Sequence, residues 1–190
     1  MKRKTSVVIV IALLITALTA SFAIAAPPDE RTTIVDIALS DPANFSCLTD
    51  ALIHVDENLG AGLVPALDGT RQFTVFAPTN AAFNAAAVAL LGPGSDCADL
   101  IYGVSDELLL GVLTYHVAPG NRPAADVLSS DQVRTISKGF VYPYVDGNGD
   151  AFLMDTDAVL GAGSPDAQII IHNVFADNGV IHVIDWVLLP

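Results

Sequence analysis

The chain has 190 residues, 52% of them hydrophobic, and its 21 acidic residues outnumber its eight basic ones, which gives a net charge of −13. A chain of this length suits one domain built around a single hydrophobic core. Because so acidic a surface repels phosphate groups, the composition excludes a nucleic-acid-binding protein and argues against contact with anionic lipid.

The N-terminus has the pattern of a secretory signal peptide. Residues 2–4 are basic, residues 7–18 are apolar, and Ala23 and Ala25 fit the small-residue cleavage pattern. We therefore predict a signal peptide over residues 1–25. A transmembrane anchor is the alternative, and the small residues that follow the apolar run argue against it.

Residues 26–190 are then the mature domain. Cleavage removes three of the eight basic residues and none of the 21 acidic ones, so the net charge changes from −13 to −16. We expect a secreted or extracellular protein, or a periplasmic one if the source is a Gram-negative bacterium, with no membrane span in the mature chain.

Two cysteines, Cys47 and Cys97, are present in the whole chain. A cysteine pair in an exported protein usually forms a disulfide. Such a bond would close a loop of roughly 50 residues, which stabilises a fold by about 4 kcal/mol in the chain-entropy model. Two free thiols are the alternative.

The N-terminal half is predicted to be mainly helical. Apolar residues recur at helical spacing in two stripes, one of Ile34, Ile37 and Ala38 and one of Phe45, Leu48, Leu52 and Val55. Asp41-Pro42 separates the two helices, and a short strand follows at 73–78. Thr79 or Asn80 is expected to cap the next helix, which makes Asn80 a candidate structural residue.

A loop is predicted for residues 92–99, which include Cys97, and Ser105 is predicted to cap another helix. From residue 132 onward the pattern changes to strands. The strand-like segments are 132–137, 140–145, 151–156, 168–175 and 180–189. Helices followed by strands predict an α+β fold.

The closing segment reads as a hairpin strand buried on both faces. Asn178-Gly179 favours a tight turn, and apolar residues then occupy both faces of the strand. His182 and Asp185 fall on opposite faces, so they cannot form a catalytic dyad, and we expect structural roles for both. A two-residue turn would set Asp185 opposite His172, whereas a three-residue loop would shift that pairing by one.

Three segments together resemble the fasciclin, or FAS1, domain. They are Phe73 to Phe83, Leu109 to Gly120 and Asn178 to Pro190, and they stand in the same order as the family's first conserved block, its Tyr-His block and its second conserved block. The resemblance implies a β-wedge or sandwich with helices packed around it, whose closing strand threads the core. It further implies a secreted single-domain member of the family.

The resemblance also suggests a function. In animal relatives the Tyr-His block is implicated in integrin-dependent adhesion, and it corresponds here to Tyr115 and His116, which become candidate partner-binding residues. A purely structural role for this pair is the alternative. We expect a non-enzymatic adhesion or interaction module that needs no cofactor and binds an extracellular or surface protein or a polysaccharide.

Other function classes have weaker support in the sequence. Motifs of common hydrolases, zinc enzymes and phosphate-binding loops do not occur. A haem or other small hydrophobic ligand is the alternative function, because His172 and His182 would lie on adjacent strands near Phe175 and Trp186. The alternative interpretation of these four residues is that they are structural residues of the core.

Two local motifs have more than one interpretation. Asp146 to Asp150 spaces its oxygens like the start of a calcium loop, but Ala151 and Asp157 depart from the later positions of that motif, so an acidic hairpin turn is favoured and no metal site is predicted. Asn44 begins a glycosylation sequon, which matters only in a eukaryotic secretory pathway.

Overall fold

The computed structural model describes residues 31–156 and 165–190. The predicted signal peptide lies outside these residues. The helices are α1 (Ile34–Ser40), α2 (Pro42–Leu59), α3 (Leu63–Asp68), α4 (Asn80–Leu91), α5 (Cys97–Gly103), α6 (Asp106–Tyr115) and α7 (Ala124–Leu128). The strands are β1 (Phe73–Pro78), β2 (Val117–Pro119), β3 (Val133–Arg134), β4 (Phe140–Val145), β5 (Ala151–Met154), β6 (Ala167–Ala176) and β7 (Gly179–Ile184).

Local sequence explains where the first two helices begin and end. Thr33 caps α1 in a capping box: its hydroxyl accepts from the Asp36 amide, while the Asp36 carboxylate accepts from the Thr33 amide. Pro42 occupies the first turn of α2, where its missing N–H costs nothing. Gly60 ends α2 in the left-handed conformation that glycine adopts easily.

Four short elements were not predicted from the sequence: α3, α5, α7 and β2. The loop predicted for residues 92–99 is confirmed up to Asp96 and wrong from Cys97 onward, because Asp96 caps α5 through the amides of Ala98 and Asp99. The start of α3 depends on Asp56, whose carboxylate accepts from the amides of residues 63 and 64. That cap comes from the preceding helix, so the local pattern around α3 does not reveal it.

The strands form one sheet in the order β2-β1-β7-β6-β5-β4-β3. β1 and β7 are parallel, and the other neighbouring pairs are antiparallel. The Ile136 amide donates to the Val117 carbonyl at 2.8 Å, which joins the segment after β3 to β2 and nearly closes the sheet. The predicted α+β class, helical first and stranded later, is confirmed. Near-closure protects the edge strands from pairing with other chains.

Strand β7 lies between two hydrophobic cores. Ile181 and Val183 pack in the core between the sheet and the helices, and Ile184 packs in the core enclosed by the curved sheet. All six residues of β7 are buried, so burial on both faces is confirmed for this strand. The strand ends at Ile184 rather than at residue 189, because Asp185 and Trp186 form a bend.

Asp185 does not lie opposite His172, the pairing that a two-residue turn at Asn178-Gly179 would give. The hairpin turn lies one residue earlier than expected, so Ala176 pairs with Gly179, and β6 contains two bulges farther along. Each bulge adds a residue to β6 with no partner on β7, which shifts the pairing again. Asp185 consequently lies beside Gln168, and its amide donates to the Gln168 carbonyl at 3.2 Å.

Candidate interaction surface

His116 ends α6 as a buried, neutral residue. Its ring nitrogens are both engaged: the Leu188 amide donates to Nε2 at 2.9 Å, and Nδ1 lies 2.7 Å from the Val112 carbonyl. Because Nε2 accepts, the ring proton is on Nδ1, which donates to Val112. Burial lowers the pKa of His116 to about 4, although the hydrogen bond to Val112 acts in the opposite direction.

Tyr115 anchors α6 to the sheet. Its hydroxyl donates to the Phe140 carbonyl, and its ring packs against Gly139, where an added Cβ would come within 2.6 Å of the ring. Burial is the main reason that the pKa of Tyr115 is raised to about 12. Tyr115 and His116 are 1% and 2% exposed, so neither side chain reaches the surface to touch a partner. Their contacts favour the structural alternative.

His182 and Asp185 lie apart and serve different contacts. His182 is fully buried; the Asn173 amide donates to its Nδ1 at 3.3 Å, and its Nε2 donates to the Arg122 carbonyl at 3.0 Å. Burial is the main cause that lowers the pKa of His182. Asp185 is exposed and accepts from the Gln168 amide at 2.7 Å.

The residues considered for a haem-like ligand do not form a site of that kind. Both ring nitrogens of His182 are hydrogen-bonded, so neither can ligate an iron without breaking these bonds. His172 and Phe175 are exposed on β6, and Trp186 is half-buried in the bend after β7.

Asn80 and the disulfide both fasten α2 to the helices beside it. Thr79, not Asn80, caps α4 by accepting from the Ala82 amide. The Asn80 side chain instead reaches the first two turns of α2: its oxygen accepts from the Cys47 amide, and its nitrogen donates to the carbonyls of Pro42 and Ala43. The predicted disulfide is present, and Cys47 and Cys97 join α2 to α5.

Asn178 is a buried structural residue, although its position before Gly179 in the sequence indicates only a turn. Its side chain is buried; its oxygen accepts from the Ile34 amide, and its nitrogen donates to the carbonyls of Leu67 and Gly69. One amide group thus ties the β6–β7 turn to α1 and to the end of α3. An Asn-Gly pair signals the turn, but it carries no information about these distant partners.

The outer side of β4, β5 and β6 carries a set of large side chains, of which Tyr144 and Met154 are exposed and the others are half-buried. In the ladder Tyr142 pairs with Met154, Tyr144 with Phe152, and Phe152 with Gln168. Side chains alternate along a strand, and the intervening residues 141, 153 and 167 are buried in the sheet core. We call Tyr142, Tyr144, Phe152, Met154 and Gln168 the aromatic face.

Two rings of the aromatic face stack on each other, and a carboxylate borders them. The rings of Tyr144 and Phe152 stack with centroids 5.4 Å apart and planes 17° from parallel. The Tyr144 hydroxyl donates to the Asp166 carboxylate at 2.7 Å, and this hydrogen bond is the main reason that the pKa of Tyr144 is raised. Tyr144 and Met154 are 39% and 45% exposed, so the face is open to a partner.

An acidic turn borders the aromatic face between β4 and β5. The Asp146 carboxylate accepts from the amides of Asn148 and Asp150, both at 2.9 Å, and these backbone bonds lower the pKa of Asp146. The carboxylate therefore closes the turn. Within residues 31–156 and 165–190, no cluster of three or more potential metal-ligating side chains occurs, and no helix is long and apolar enough to cross a membrane.

Comparison with known proteins agrees with this architecture. The chain is 34% identical over 165 residues to Protein sll1483 of Synechocystis sp., which covers 87% of this chain and 77% of that protein. It is 36% identical over 156 residues to another protein of the same organism, sll1735, with 82% and 96% covered. It is 33% identical over 156 residues to Immunogenic protein MPB70 of Mycobacterium bovis, with 82% and 68% covered.

A solved structure with the same fold is that of a FAS1 domain pair from the insect cell adhesion molecule Fasciclin I. The TM-score is 0.53 at 22% identity, and the match covers 75% of this chain. This chain spans 45% of the length of that domain pair. The model of the fasciclin domain family matches residues 48–190. On the strength of that match and of the relatives above, the chain belongs to the fasciclin domain family.

Proposed function

We propose that this protein is a secreted, non-enzymatic adhesion or interaction module that binds an extracellular or surface protein or a polysaccharide through its aromatic face. The family membership supports the general class of function. The exported location is a further part of the proposal and follows from the signal-peptide pattern at residues 1–25.

The observation that carries the proposal is the stacked Tyr144–Phe152 pair on the outer side of the sheet, where Tyr144 is 39% exposed. Exposed aromatic rings supply a large contact area at low entropic cost, and they are enriched where proteins bind partners. The Asp166 carboxylate holds the Tyr144 hydroxyl, so the ring is oriented before a partner arrives. Less ordering on contact means a smaller entropic penalty.

The charge around the aromatic face indicates which chemical classes of partner it can bind. Asp146, Asp150 and Asp166 border it, and the chain as a whole is strongly acidic. Such a rim disfavours anionic polymers and suits neutral sugars or basic groups, since carboxylates accept hydrogen bonds from hydroxyl and ammonium donors. Tyrosine rings stack on sugar faces and attract cations.

A capture experiment tests the proposal. The purified protein is coated on beads and exposed to native extracellular material, and bound protein and polysaccharide are quantified. Replacement of both rings, Tyr144→Ala with Phe152→Ala, should reduce capture about tenfold, equivalent to roughly 1.4 kcal/mol of lost contact.

Tyr102→Ala is the matched control. Tyr102 is 70% exposed on α5, so its replacement removes a comparable exposed ring away from the sheet and should leave capture unchanged. Melting curves of all variants verify folding. Equal capture by the double variant and the wild type would refute the aromatic face as the contact surface.

A further inference from the structure

A second feature, separate from the aromatic face, is a cavity beneath the first two helices. It lies between α1, α2 and α3 on one side and the sheet on the other, with a volume of about 70 Å³. Ala38, Leu48, Leu52 and Ile181 are among the residues that line it. One water molecule needs roughly 10–15 Å³ by this measure, so the cavity has room for a chain of several atoms.

The cavity wall offers no free hydrogen-bonding group. Two of the lining side chains, Thr49 and His116, are polar. The Thr49 hydroxyl donates to the carbonyls of Phe45 and Ser46, and both nitrogens of His116 are bonded to the backbone. An occupant would therefore be held by apolar contact alone, because water would find no partner on the wall.

The mouth of the cavity is apolar as well. Leu39 and Ile53 line it and are 56% and 43% exposed, and the lining residues Val35 and Val64 are half-buried. These side chains extend the apolar surface from the interior to the outside of α1 and α2. A ligand could thus keep one end in the cavity and lie along this rim.

The volume of the cavity and the charge of the protein indicate which class of ligand the cavity binds. At about 70 Å³ the cavity volume is small for a fused ring system, which favours the end of a flexible methylene chain. The lining residues include no lysine or arginine, and the chain carries a net charge of −13, so an anionic headgroup at the mouth is disfavoured. We infer that the cavity under α1 and α2 binds the end of a neutral, unbranched alkyl chain.

The test uses 1-octanol and octanoate as probes, because they share a chain and differ in the charge of the head. Isothermal titration of the whole protein at pH 7 should give saturable one-to-one binding of 1-octanol. Octanoate should bind at least about tenfold more weakly, because its carboxylate meets the acidic surface.

Variants locate the binding. Ala38→Leu places three more carbons in the cavity and should weaken 1-octanol binding about tenfold. The pair Leu39→Ser with Ile53→Ser removes the apolar rim without touching a fully buried residue, so it decides the question if Ala38→Leu does not fold. Val88→Ser with Leu91→Ser is the control, since these α4 residues are 44% and 43% exposed and are not among the lining residues.

Saturable binding that is weakened by the cavity or rim variants and kept by the control supports the inference. Absence of saturable 1-octanol binding overturns it. Equal loss in the α4 control also overturns it, because the probe would then be adhering to exposed apolar residues in general.

Discussion

At the scale of single residues, the buried histidines of the closing strand and of the end of α6 hold the fold together from inside. His116 and His182 are both buried and both neutral, and each has its two ring nitrogens bonded to backbone groups. Protonation would put a second proton on an accepting nitrogen and a charge in the core. Both effects oppose folding at low pH.

The pH dependence of stability follows from His116. Its folded-state pKa of about 4 lies below the ordinary value of 6.5, so the unfolded chain binds a proton first as the pH falls. The stability that neutral His116 contributes is full above about pH 6.5 and is lost as the pH falls toward 4, by about 3 kcal/mol. Urea denaturation at pH 7, 5.5 and 4 measures this loss.

The variant His116→Gln separates the pH dependence of stability that is due to His116 from the pH dependence that is due to Asp and Glu carboxylates. The variant should be less stable at pH 7, because it weakens bonds to Val112 and Leu188, but its stability should fall less between pH 7 and 4. Parallel curves for the variant and the wild type would mean that His116 does not titrate in this range.

Gly179 is required by the close approach of β7 to β1. Its φ is 151°, and an added Cβ would lie 2.0 Å from the Phe73 carbonyl oxygen. Gly179→Ala should therefore lower the free energy of unfolding by at least about 2 kcal/mol. Thermal and urea denaturation measure the change.

Gly147→Ala is the control for this substitution, because an added Cβ at that exposed turn meets no atom within 4 Å. Its stability should stay within about 0.5 kcal/mol of the wild type. A Gly179→Ala protein as stable as this control would show that β7 can move away from β1 at little cost.

At the scale of elements, the disulfide joins two helices that are distant in sequence. Cys47 and Cys97 are separated by 50 residues, so replacing both by alanine frees a long loop in the unfolded state. We expect the double variant to lose about 4 kcal/mol of stability in the chain-entropy model. Urea denaturation measures it, and a loss below about 1 kcal/mol would contradict the expected effect of the cross-link.

The sequence predicts those elements whose signals are local. The apolar stripes and the Asp41-Pro42 break suffice for α1 and α2, and the strand-like segments with the Asn-Gly pair suffice for the existence of the β6–β7 hairpin. It does not predict α3, because the Asp56 carboxylate that caps it belongs to another helix.

The register of the β6–β7 hairpin could not be predicted from the sequence for a similar reason. Asn173 has a φ of 60°, a conformation that asparagine tolerates, and it lies in the second bulge of β6. Its amide donates to His182 and its side chain accepts from the Ala124 amide, so the bulge depends on partners outside β6, one of them 49 residues away. Strand alternation alone does not locate it.

The candidate site could be predicted only in part. Residues 140–145 are strand-like in the sequence. Large side chains occur at both odd and even positions, however, so the pattern does not say which face of the strand is buried. The pairing of Tyr144 with Phe152 and the burial of residues 141 and 153 decide that question. Tyr115 and His116 show the converse, since a family motif drew attention to residues that are buried.

At the scale of the whole molecule, β1, β2 and β7 each contribute residues to both cores, and the aromatic face lies on the side of β4 and β5 away from the second core. Helices α1 to α6 contribute to the core on one side of β1 and β7, whereas the second core lies inside the curved sheet. The buried interior holds the fold together, and the aromatic face is the surface that we propose for contact with a partner.

Charge reduction around the aromatic face should affect capture more than stability. Asp150→Asn with Asp166→Asn should leave the melting temperature nearly unchanged, because exposed charges contribute little to folding. It should weaken capture of a cationic partner, most clearly at low ionic strength, where screening is weak. Asp146 is kept in this variant because its carboxylate closes the turn. Capture that is insensitive to both charge and salt would point to a neutral partner.

Amide hydrogen exchange, followed by mass spectrometry on the protein alone and on the complex captured from extracellular material, tests the central claim most directly. We predict slower exchange on binding in residues 140–154, which contain β4, the acidic turn and β5, with no change around Tyr115 and His116. Protection at that corner, with none in residues 140–154, would contradict the assignment of the aromatic face as the interaction surface.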